Sequence, residues 1–326
     1  MLDEVVGQNK AKAVLKLLGH GYNRRSFMPP IGVFGGSGLG KTHLVASWAK
    51  ELGAKQVYIN GTAVKDSLAF RGFFKEARDN QRDYYFIFVD ECHGLPSKVQ
   101  DNLLSVLEEP AILCTIAPRD MGVVQCVDGS RYVEKGSVMR EELPKNMSFI
   151  LATTDPAQLK EPVLNRLRKI HLAQYTIDDK IEIAMSHMVK HGKHGIRGDG
   201  LIFEALATRC RSIRHLKDEL CETFIDIDSM YGNSSKRTLE DLDEMLGIDS
   251  DGANDLDIDY LEYLSDHPTV GLDTMAGKLR IDKKQVAQHI EPFLLEKGWI
   301  AITGRGRCLT EAGLKKVLGG GYAPGN

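Results

Sequence analysis

The chain has 326 residues, with 42 basic and 45 acidic side chains and a formal net charge of −3 at pH 7. This near balance excludes a global electrostatic attraction to nucleic acid or membrane, so any DNA contact must come from a local basic patch. With 42% hydrophobic residues, the composition is that of an ordinary globular protein. The length of 326 residues predicts two or three domains.

The sequence carries no targeting or membrane-spanning pattern. The stretch MLDEVVGQNKAK at the start is charged and lacks the apolar centre of a signal peptide. Apolar runs stay shorter than the roughly 18 residues that cross a bilayer. The six cysteines are scattered without C-x-x-C spacing, which argues against a zinc module and favours reduced, buried thiols. We therefore expect a cytoplasmic protein without a membrane partner.

Four short apolar runs alternate with amphipathic stretches in the first half of the chain, at residues 31–34, 57–59, 85–89 and 149–152. That alternation is typical of a parallel sheet flanked by helices, and it predicts an α/β core. Residues 176–230 then follow a helical pattern without a strand-like run. A helical region is therefore expected to follow the core.

A glycine-rich stretch directly after the first apolar run reads G-x-x-x-x-G-K-T at residues 35–42. Glycines let the backbone curl so that successive N–H groups point at phosphate oxygens, and the following helix adds its positive N-terminal end. The pattern therefore predicts a P-loop that binds ATP. The candidate nucleotide-binding residues are Gly35, Gly38, Gly40, Lys41 and Thr42. Lys41 is expected to reach the β- and γ-phosphates, and the Thr42 hydroxyl to ligate Mg2+.

The apolar run at residues 85–89 ends in two carboxylates, Asp90 and Glu91. A carboxylate at the carboxyl edge of such a strand lies beside the P-loop, where Asp90 can hold Mg2+ through water. Glu91, one residue further, can orient and deprotonate the attacking water. The sequence thus predicts hydrolysis of ATP as well as its binding.

The stretch FILATTDPAQLKEPVLNRL, at residues 149–167, continues this pattern. Its strand is expected to lie beside that of Asp90, which makes Thr154 a candidate to hydrogen-bond the attacking water. Arg166 lies on the segment that leaves the site. An arginine supplied by a neighbouring subunit can neutralise transition-state charge and raise the rate by about 10³ to 10⁵. An ordinary surface arginine is the alternative interpretation.

The C-terminal part changes its charge balance. Residues 238–266 carry only acidic charges, and GIDSDGAND within them is typical of a domain linker. Residues 270–279 then predict a helix with Asp273 or Thr274 as its N-cap. A turn at Ile281-Asp282 leads into a second predicted helix, residues 283–297, with apolar side chains on one face.

Two short predicted strands, residues 299–303 and 308–310, follow that helix and are joined by a basic turn. Helix, turn, helix and hairpin together predict a winged helix. Its candidate DNA contacts are Arg305 and Arg307 at the wing tip, with Lys283 and Lys284 at the start of the second helix. Winged helices also mediate protein contacts, so DNA binding does not follow from the fold alone.

The chain resembles the AAA+ ATPases through four markers in the expected order: DEVVGQ, the P-loop, FIFVDECH, and ATTDP followed by the finger arginine. The resemblance implies that Val6 borders the adenine pocket. It also implies a helical lid with a nucleotide-sensing arginine, which matches Arg214 in RSIRHLKDEL. The family assembles in rings, so that Arg166 of one subunit would complete the site of the next.

Within that superfamily the chain is similar to RuvB, the bacterial Holliday-junction branch-migration motors, along nearly its whole length. The similar stretches are EPFLLEKGWIAITGRGRCLTEAG, VGLDTMAGKL and TLEDLDEMLGID. The resemblance implies a homo-hexamer that translocates double-stranded DNA and drives a four-way junction during recombination and repair. It also implies an ATPase core at 1–174, a helical lid at 175–248, a winged helix at 249–318 and a flexible tail at 319–326.

Three features depart from that family. The P-loop reads GGSGLGKTHLV instead of GPPGLGKTTLA, which leaves the phosphate-binding residues intact. Leu164 stands where the family has a second arginine before the finger. A longer insertion, at about 111–148, contains the hairpin-like alternation VVQCVDGSRYV with a turn at Asp128-Gly129. The corresponding hairpin of the family docks onto RuvA, so a RuvA-like or other protein partner is one interpretation, and a surface hairpin without a partner is the other.

Two other functions stay open on the sequence. NLLSVLEEP and FILATTDPAQL are similar to the motor subunits of bacterial clamp loaders, which act on a sliding clamp and primed DNA. Those proteins usually carry a four-cysteine zinc module, a Ser-Arg-Cys finger and a helical collar, which this sequence lacks. The second alternative is a nucleotide-switched initiator or helicase loader with slow hydrolysis.

Overall fold

In this computed structural model the described residues are 2–25, 28–66, 77, 79–108, 111–115, 124–126, 129–131, 138–142, 146–190, 200–231 and 235–319. The chain divides into two compact units, Met1–Thr176 and Ile177–Asn326. Along the described part of the chain, no helix is long and apolar enough to cross a bilayer.

The first unit is built on a five-stranded sheet. Its strands are β1 (Ile31–Phe34), β2 (Lys55–Asn60), β3 (Tyr85–Asp90), β8 (Met147–Thr153) and β9 (Arg168–His171). They lie in the order β2-β3-β8-β1-β9, and all neighbouring strands are parallel. The predicted α/β core with a parallel sheet is thereby confirmed. β9 was not predicted, because only Ile170 of its four residues is buried and the charged remainder gives no strand pattern.

Helices cover both faces of this sheet, as a fully buried parallel sheet requires. They are α1 (Asn9–Arg25), α2 (Lys41–Glu51), α3 (Ser97–Glu108) and α4 (Glu161–Arg166). Successive side chains of β3 point to opposite faces. Phe86 joins the core under α1 and α2, where it stacks on Trp48 at 4.8 Å, whereas Ile87 joins the core under α3 and α4.

Between α3 and β8 the chain forms two antiparallel ladders. β4 (Ala111–Thr115) pairs with β7 (Val138–Glu142), and β5 (Val124–Cys126) pairs with β6 (Gly129–Arg131). The inner ladder confirms the hairpin that VVQCVDGSRYV predicts. Of the predicted turn at Asp128-Gly129, Gly129 pairs with Cys126, and Asp128 lies outside the described residues.

The second unit begins with a helical lid. Its helices are α5 (Ile177–Lys190), α6 (Gly200–Arg209), a π-helical turn His215–Cys221 that continues into α7 (Glu222–Tyr231), and α8 (Ser235–Leu246). Ser212 caps the helical turn that leads into the π-helical segment, because its hydroxyl accepts the backbone N–H of His215 at 3.1 Å. Residues 177–190 and 200–231 contain no strand, as the sequence predicts.

The rest of the second unit is a winged helix, which confirms that prediction. Its elements are α9 (Asp255–Asp266), α10 (Leu272–Leu279), α11 (Lys283–Gln285), a π-helical turn Val286–Ile290, α12 (Glu291–Glu296), β10 (Ile300–Thr303), β11 (Gly306–Leu309) and α13 (Glu311–Gly319). The π-helical turn precedes Pro292, which has no N–H for the regular ladder.

Two details of the winged helix differ from the sequence prediction. The N-cap of α10 is Gly271, not Asp273 or Thr274, because the chain turns directly after Val270 and the Met275 N–H bonds to the Gly271 carbonyl. Gly319, the first residue of the predicted tail at 319–326, belongs to α13. Residues 320–326 lie outside the described part of the chain.

The predicted linker GIDSDGAND is an ordered turn. The carboxylate of Asp249 accepts the N–H groups of Asp251 and Ala253 at 2.9 and 3.0 Å. Lys316 of α13 pairs with both Asp249 and Asp251, at 2.6 and 2.5 Å. Asn254 then closes a capping box at the start of α9. The linker therefore packs against the winged helix.

The lid and the winged helix share a charged junction, which we call the lid–wing joint: residues 208–211, 249–257, 293–297 and Lys316. Arg211 pairs with the buried Asp257 and lies 4.3 Å from the ring of Phe293. Lys297 donates to the carbonyl of Thr208, at the C-terminal end of α6, at 2.5 Å. Gly252 touches the backbone of Arg209 so closely that a Cβ would lie 2.3 Å from its carbonyl oxygen. The two parts thus form one compact unit.

Candidate functional site

The P-loop connects the end of β1 to the start of α2. Gly38 and Gly40 have φ angles of 77° and 82°, a region that L side chains rarely adopt. At Gly40 a Cβ would also lie 2.8 Å from the Tyr175 hydroxyl, so this position needs glycine for two reasons. Gly40 is the N-cap of α2, and Lys41 is the first helical residue. The loop therefore presents a helix N-terminus and its free N–H groups, which suit an anion.

Lys41 is buried, and its ammonium lies inside the loop. Its Nζ donates to the carbonyl oxygens of Gly35 and Gly36 at 2.9 and 3.0 Å. Burial lowers the pKa of Lys41, and the nearby carboxylates of Glu91 and Asp90 oppose this shift. The positive charge is thus held at the place where a phosphate would lie.

Asp90 ends β3 beside the P-loop, as the sequence predicts. Its Oδ2 accepts the Thr42 hydroxyl at 2.9 Å, and its Oδ1 accepts the backbone N–H of Glu91 at 3.0 Å. A hydroxyl and a carboxylate side by side are the oxygen donors that Mg2+ prefers, so Thr42 and Asp90 fit that ion.

Glu91 has an unusual backbone conformation. Its φ of 46° lies in the left-handed region, which is uncommon outside glycine and is often found at functional sites. A Cβ on Gly61 would lie 2.6 Å from the Glu91 carbonyl oxygen, so that glycine makes room for the turn. The Glu91 side chain reaches across to the end of β8, where its Oε2 accepts the Thr154 hydroxyl at 3.2 Å. The two predicted hydrolytic residues therefore lie together.

Two further polar side chains, His93 and Tyr58, belong to this cluster and are not predicted from the sequence. His93 Nδ1 lies 2.8 Å from Thr153 Oγ1 and 3.2 Å from Glu91 Oε2. Tyr58 of β2 donates to Asp90 Oδ2 at 3.3 Å, and partial burial and Asp90 raise the pKa of its hydroxyl. The signal for His93 was its position two residues after Glu91, at a strand edge. Tyr58 could be found only from the pairing of β2 with β3.

Val6 lies in a half-buried segment at the N-terminus of the first unit. The segment is fixed by its neighbour Gln8, whose side chain makes two hydrogen bonds to the backbone of Ala173, at 2.8 and 2.9 Å. Gly7 and Gln8 both have positive φ angles, 63° and 53°. The VGQ part of DEVVGQ thus forms a tight turn beside the chain that leaves β9.

The two candidate arginines outside the P-loop lie at helix ends. Arg166 is the last residue of α4, where its guanidinium donates to the Pro162 carbonyl at 2.7 Å. Arg214 belongs to the second unit, where it is exposed in the first turn after Ser212. The contacts of the first unit therefore bring together Lys41, Thr42, Asp90, Glu91 and Thr154, whereas Arg166 donates within its own helix.

The four candidate DNA contacts of the winged helix fall into two groups. Arg305 at the wing tip and Lys283 and Lys284 at the start of α11 are exposed. Arg307 differs, because its guanidinium makes two hydrogen bonds to the buried carboxylate of Glu291, at 2.7 and 3.1 Å. Two guanidinium donors of Arg307 are thus used inside the domain, and its role as a DNA contact stays a prediction.

The chain matches two protein-family models. The model described as "ATPase family associated with various cellular activities (AAA)" matches residues 31–175, and the model described as "RuvB C-terminal winged helix domain" matches residues 250–317. These matches cover the sheet with its P-loop and the C-terminal domain, respectively.

Curated relatives extend the similarity beyond those two models. The chain is 26% identical over 314 residues to the Holliday junction branch migration complex subunit RuvB of Fusobacterium nucleatum, with 94% of this chain and 88% of that protein covered. It is 28% identical over 330 residues to the RuvB subunit of Mesomycoplasma hyopneumoniae, with 97% and 95% covered.

Solved structures agree on the fold. A point mutant of Thermotoga maritima RuvB superposes with a TM-score of 0.74 at 22% identity, and 97% of each chain is covered. The Thermotoga maritima RuvB Holliday junction branch migration motor gives a TM-score of 0.73. The chain therefore carries an AAA-type domain at residues 31–175 and a RuvB-type winged-helix domain at residues 250–317, and it is similar to RuvB along almost its entire length.

Proposed function

We propose that this chain is an ATP-driven DNA motor of the RuvB type, a ring that moves duplex DNA and drives the branch migration of Holliday junctions. One observation carries the proposal. The Glu91 carboxylate is held by Thr154 beside the Asp90–Thr42 pair, on a chain that ends in a RuvB-type winged helix. Hydrolytic groups and a DNA-binding type of domain are thus joined in one polypeptide.

The P-loop residues bind the nucleotide in this proposal. The backbone N–H groups after Gly35 and at the start of α2 would surround the phosphates, and Lys41 would exchange its two carbonyl acceptors for phosphate oxygens. Thr42 and Asp90 would hold Mg2+, which supplies positive charge that neutralises the phosphates as the γ-phosphoryl group departs. Val6 would border the base on the strength of the family resemblance.

Glu91 would act on the attacking water. As the water oxygen forms its bond to the γ-phosphorus, the bond to the bridging oxygen breaks, ADP leaves, and the Glu91 carboxylate takes the water's proton. Thr154 keeps that carboxylate in place through its hydroxyl, at 3.2 Å. The left-handed turn at Glu91 supports the proposal, because it aims the side chain at the end of β8.

A ring of subunits would bring an arginine from one chain to the nucleotide site of the next. We propose a homo-hexamer in which Arg166 of one subunit completes the site of its neighbour and neutralises charge in the transition state. Arg214 of the lid is proposed to sense the nucleotide, on the family resemblance alone.

DNA binding is assigned to the exposed basic side chains of the winged helix. Arg305, Lys283 and Lys284 would contact phosphates, which gives affinity that falls with salt and carries little sequence preference. Such binding suits a motor that must move along any sequence. The ladders within residues 111–148 are proposed to dock a RuvA-like partner. The proposed compartment is the cytoplasm.

The test is steady-state ATPase activity with linear duplex, a synthetic four-way junction, or primed single-stranded DNA, each with and without a sliding clamp. Stimulation by duplex or junction, together with strand separation of the junction, is the expected result. Stimulation only by primed DNA plus clamp would overturn the proposal in favour of a clamp loader. Absence of ATPase activity under every condition would also overturn it.

A further inference from the structure

Glu91 is held at one of its two carboxylate oxygens. Oε2 accepts the Thr154 hydroxyl at 3.2 Å, lies 3.4 Å from the Thr154 backbone nitrogen, and lies 3.2 Å from His93 Nδ1. Among the described residues, Oε1 has no such partner. The asymmetry leaves one oxygen to receive a proton while the other fixes the direction of the side chain.

The position of His93 is fixed by the backbone and by Thr153. His93 lies in the short 3-10 turn Cys92–Gly94 directly after Glu91. A Cβ on Gly94 would lie 2.9 Å from the Cα of Thr62, so this turn is packed tightly against the end of β2. On the other side, His93 Nδ1 lies 2.8 Å from the hydroxyl of Thr153, a fully buried side chain at the end of β8. The imidazole is therefore held from two elements.

The contact with Glu91 favours the tautomer that carries its hydrogen on Nδ1. A carboxylate can only accept hydrogen bonds, so a lone pair on His93 Nδ1 at 3.2 Å from Oε2 would be repelled by it. A hydrogen on Nδ1 would instead be donated to Thr153 Oγ1 at 2.8 Å, with its positive charge close to the Glu91 carboxylate. Thr153 Oγ1 can accept this bond in addition to the Asp155 N–H at 3.0 Å, because a hydroxyl oxygen has two lone pairs.

We propose that His93 is a positioning residue for ATP hydrolysis: its Nδ1–H, anchored on the Thr153 hydroxyl, holds Oε2 of Glu91 so that Oε1 faces the attacking water. This inference rests on the proposed function, since it assigns Glu91 the role of base. His93 does not touch the nucleotide in this proposal. It acts only through the orientation of Glu91, so it affects turnover and not nucleotide affinity.

Three substitutions at position 93 separate positioning from packing. In His93→Asn, the amide can place an N–H group where Nδ1 lies. In His93→Gln, the amide reaches the place of Nε2, and His93→Leu keeps a similar volume without a donor. We expect His93→Asn to retain kcat within about threefold, and the other two to lose about tenfold or more, because small misplacements of a catalytic group are costly. The apparent KM for ATP and the affinity for a fluorescent ATP analogue should stay unchanged in all three.

A second variant pair and a spectroscopic measurement make the test independent of any folding defect at position 93. Thr153→Val should lower kcat like His93→Leu, whereas Thr153→Ser, which keeps the hydroxyl, should not. Long-range ¹H–¹⁵N spectra of the imidazole ring, assigned by comparison with His93→Asn, should show the Nδ1–H tautomer in the wild-type chain. In a Glu91→Gln background, adding His93→Leu should leave the residual turnover unchanged.

The outcomes distinguish this inference from the proposed function. Equal losses in His93→Asn and His93→Leu, a changed KM with unchanged kcat, or an Nε2–H tautomer would overturn the role of His93. If the wild-type chain lacks ATPase activity, or if Glu91→Gln retains it, the proposed function itself fails. Normal turnover in His93→Leu, alongside an inactive Glu91→Gln variant, would remove His93 and leave the proposed function standing.

Discussion

Arg307 of β11 and Glu291 of α12 form a two-pronged ion pair inside the winged helix. The guanidinium Nε and Nη2 donate to the two carboxylate oxygens at 2.7 and 3.1 Å, and the Glu291 side chain is only 3% exposed. The Tyr260 hydroxyl donates to the same carboxylate at 3.0 Å. A basic residue of the wing is thus part of the interior of the domain.

Removing Arg307 should therefore destabilise the winged helix. In Arg307→Ala the Glu291 carboxylate would stay buried without its cation, which costs about 3 kcal/mol of the free energy of unfolding. Urea denaturation followed by circular dichroism measures this loss. The double variant Arg307→Leu with Glu291→Leu is the matched control, and it should recover most of the stability because both charges are gone. An unchanged midpoint in Arg307→Ala would contradict the structural role.

Arg305 is exposed and lies two residues before Arg307. Its removal should weaken DNA binding and leave the stability of the winged helix unchanged. Arg305→Ala should leave the urea midpoint unchanged and weaken binding to a four-way junction about equally for all sequences. The slope of log affinity against log salt should fall by about 1, as expected for one lost phosphate contact. Fluorescence anisotropy over a salt series measures both effects. A salt slope equal to that of the wild-type chain would exclude Arg305 from the DNA interface.

Glu91→Gln should abolish turnover while it leaves ATP binding intact. Glutamine keeps the shape of the side chain but cannot accept the water's proton, so kcat should fall roughly 10²- to 10⁴-fold. A malachite-green phosphate assay and equilibrium binding of a fluorescent ATP analogue measure the two properties. Asp101→Asn, at an exposed position on α3, is the control and should hydrolyse ATP normally. Normal hydrolysis by the Glu91→Gln variant would remove Glu91 from the mechanism.

Arg166→Ala should lower turnover by about 10³ to 10⁵ without loss of ATP binding. The decisive experiment mixes this inactive variant with the inactive Glu91→Gln variant. If Arg166 acts on the neighbouring subunit, mixed rings contain sites with an intact Glu91 from one subunit and an intact Arg166 from the next, and part of the activity returns. If mixing restores nothing, Arg166 does not act between subunits.

Because of the ordered turn before α9, the stability of the folded chain should fall at low pH. Burial opposes ionisation of Asp249, but hydrogen bonds from Lys316 and from the backbone of Ala253 and Asp251 outweigh it and lower the pKa of the carboxyl. A lowered pKa in the folded state contributes stability above the ordinary value of 3.8, and this contribution is lost as the pH falls through the folded value.

Asp249→Asn should therefore be less stable than the wild-type chain at pH 7, and the difference should shrink below about pH 4. Thermal unfolding at a series of pH values measures the difference. Asp259→Asn, an exposed position on α9, controls for the general effect of removing one acidic charge. A difference that stays constant down to pH 3 would contradict the role given to Asp249.

The sequence predicted the nucleotide side of the site because its parts are local. A strand, a glycine turn and a helix in succession place Lys41 and Thr42, and neighbouring parallel strands must end at the same edge, which brings Glu91 to Thr154. The role of His93 was not predicted, because its position two residues after Glu91 indicates proximity but not the direction of its side chain in the short 3-10 turn. β9 was missed because an edge strand with one buried residue leaves no hydrophobic alternation.

At the C-terminal end, the charge pattern alone does not show which charged side chains bond inside the domain. Arg305 and Arg307 look alike in GRGRC, and only the ladder between β10 and β11 shows that Arg307 turns inward. The acidic GIDSDGAND has the composition of a loop, which does not show that the segment is ordered. Its carboxylates instead cap backbone N–H groups and pair with Lys316 of α13, which is distant along the chain.

The lid–wing joint has a mechanical consequence. A DNA-binding domain on a flexible linker can raise the local concentration of DNA. It transmits force to the DNA only when the linker is fully extended, and then only as tension. Here Arg211 contacts Asp257 and Phe293, and Lys297 donates to Thr208, so the helices of the winged-helix domain are fixed to the lid. If the lid rotates, these contacts would carry the winged-helix domain with it in either direction.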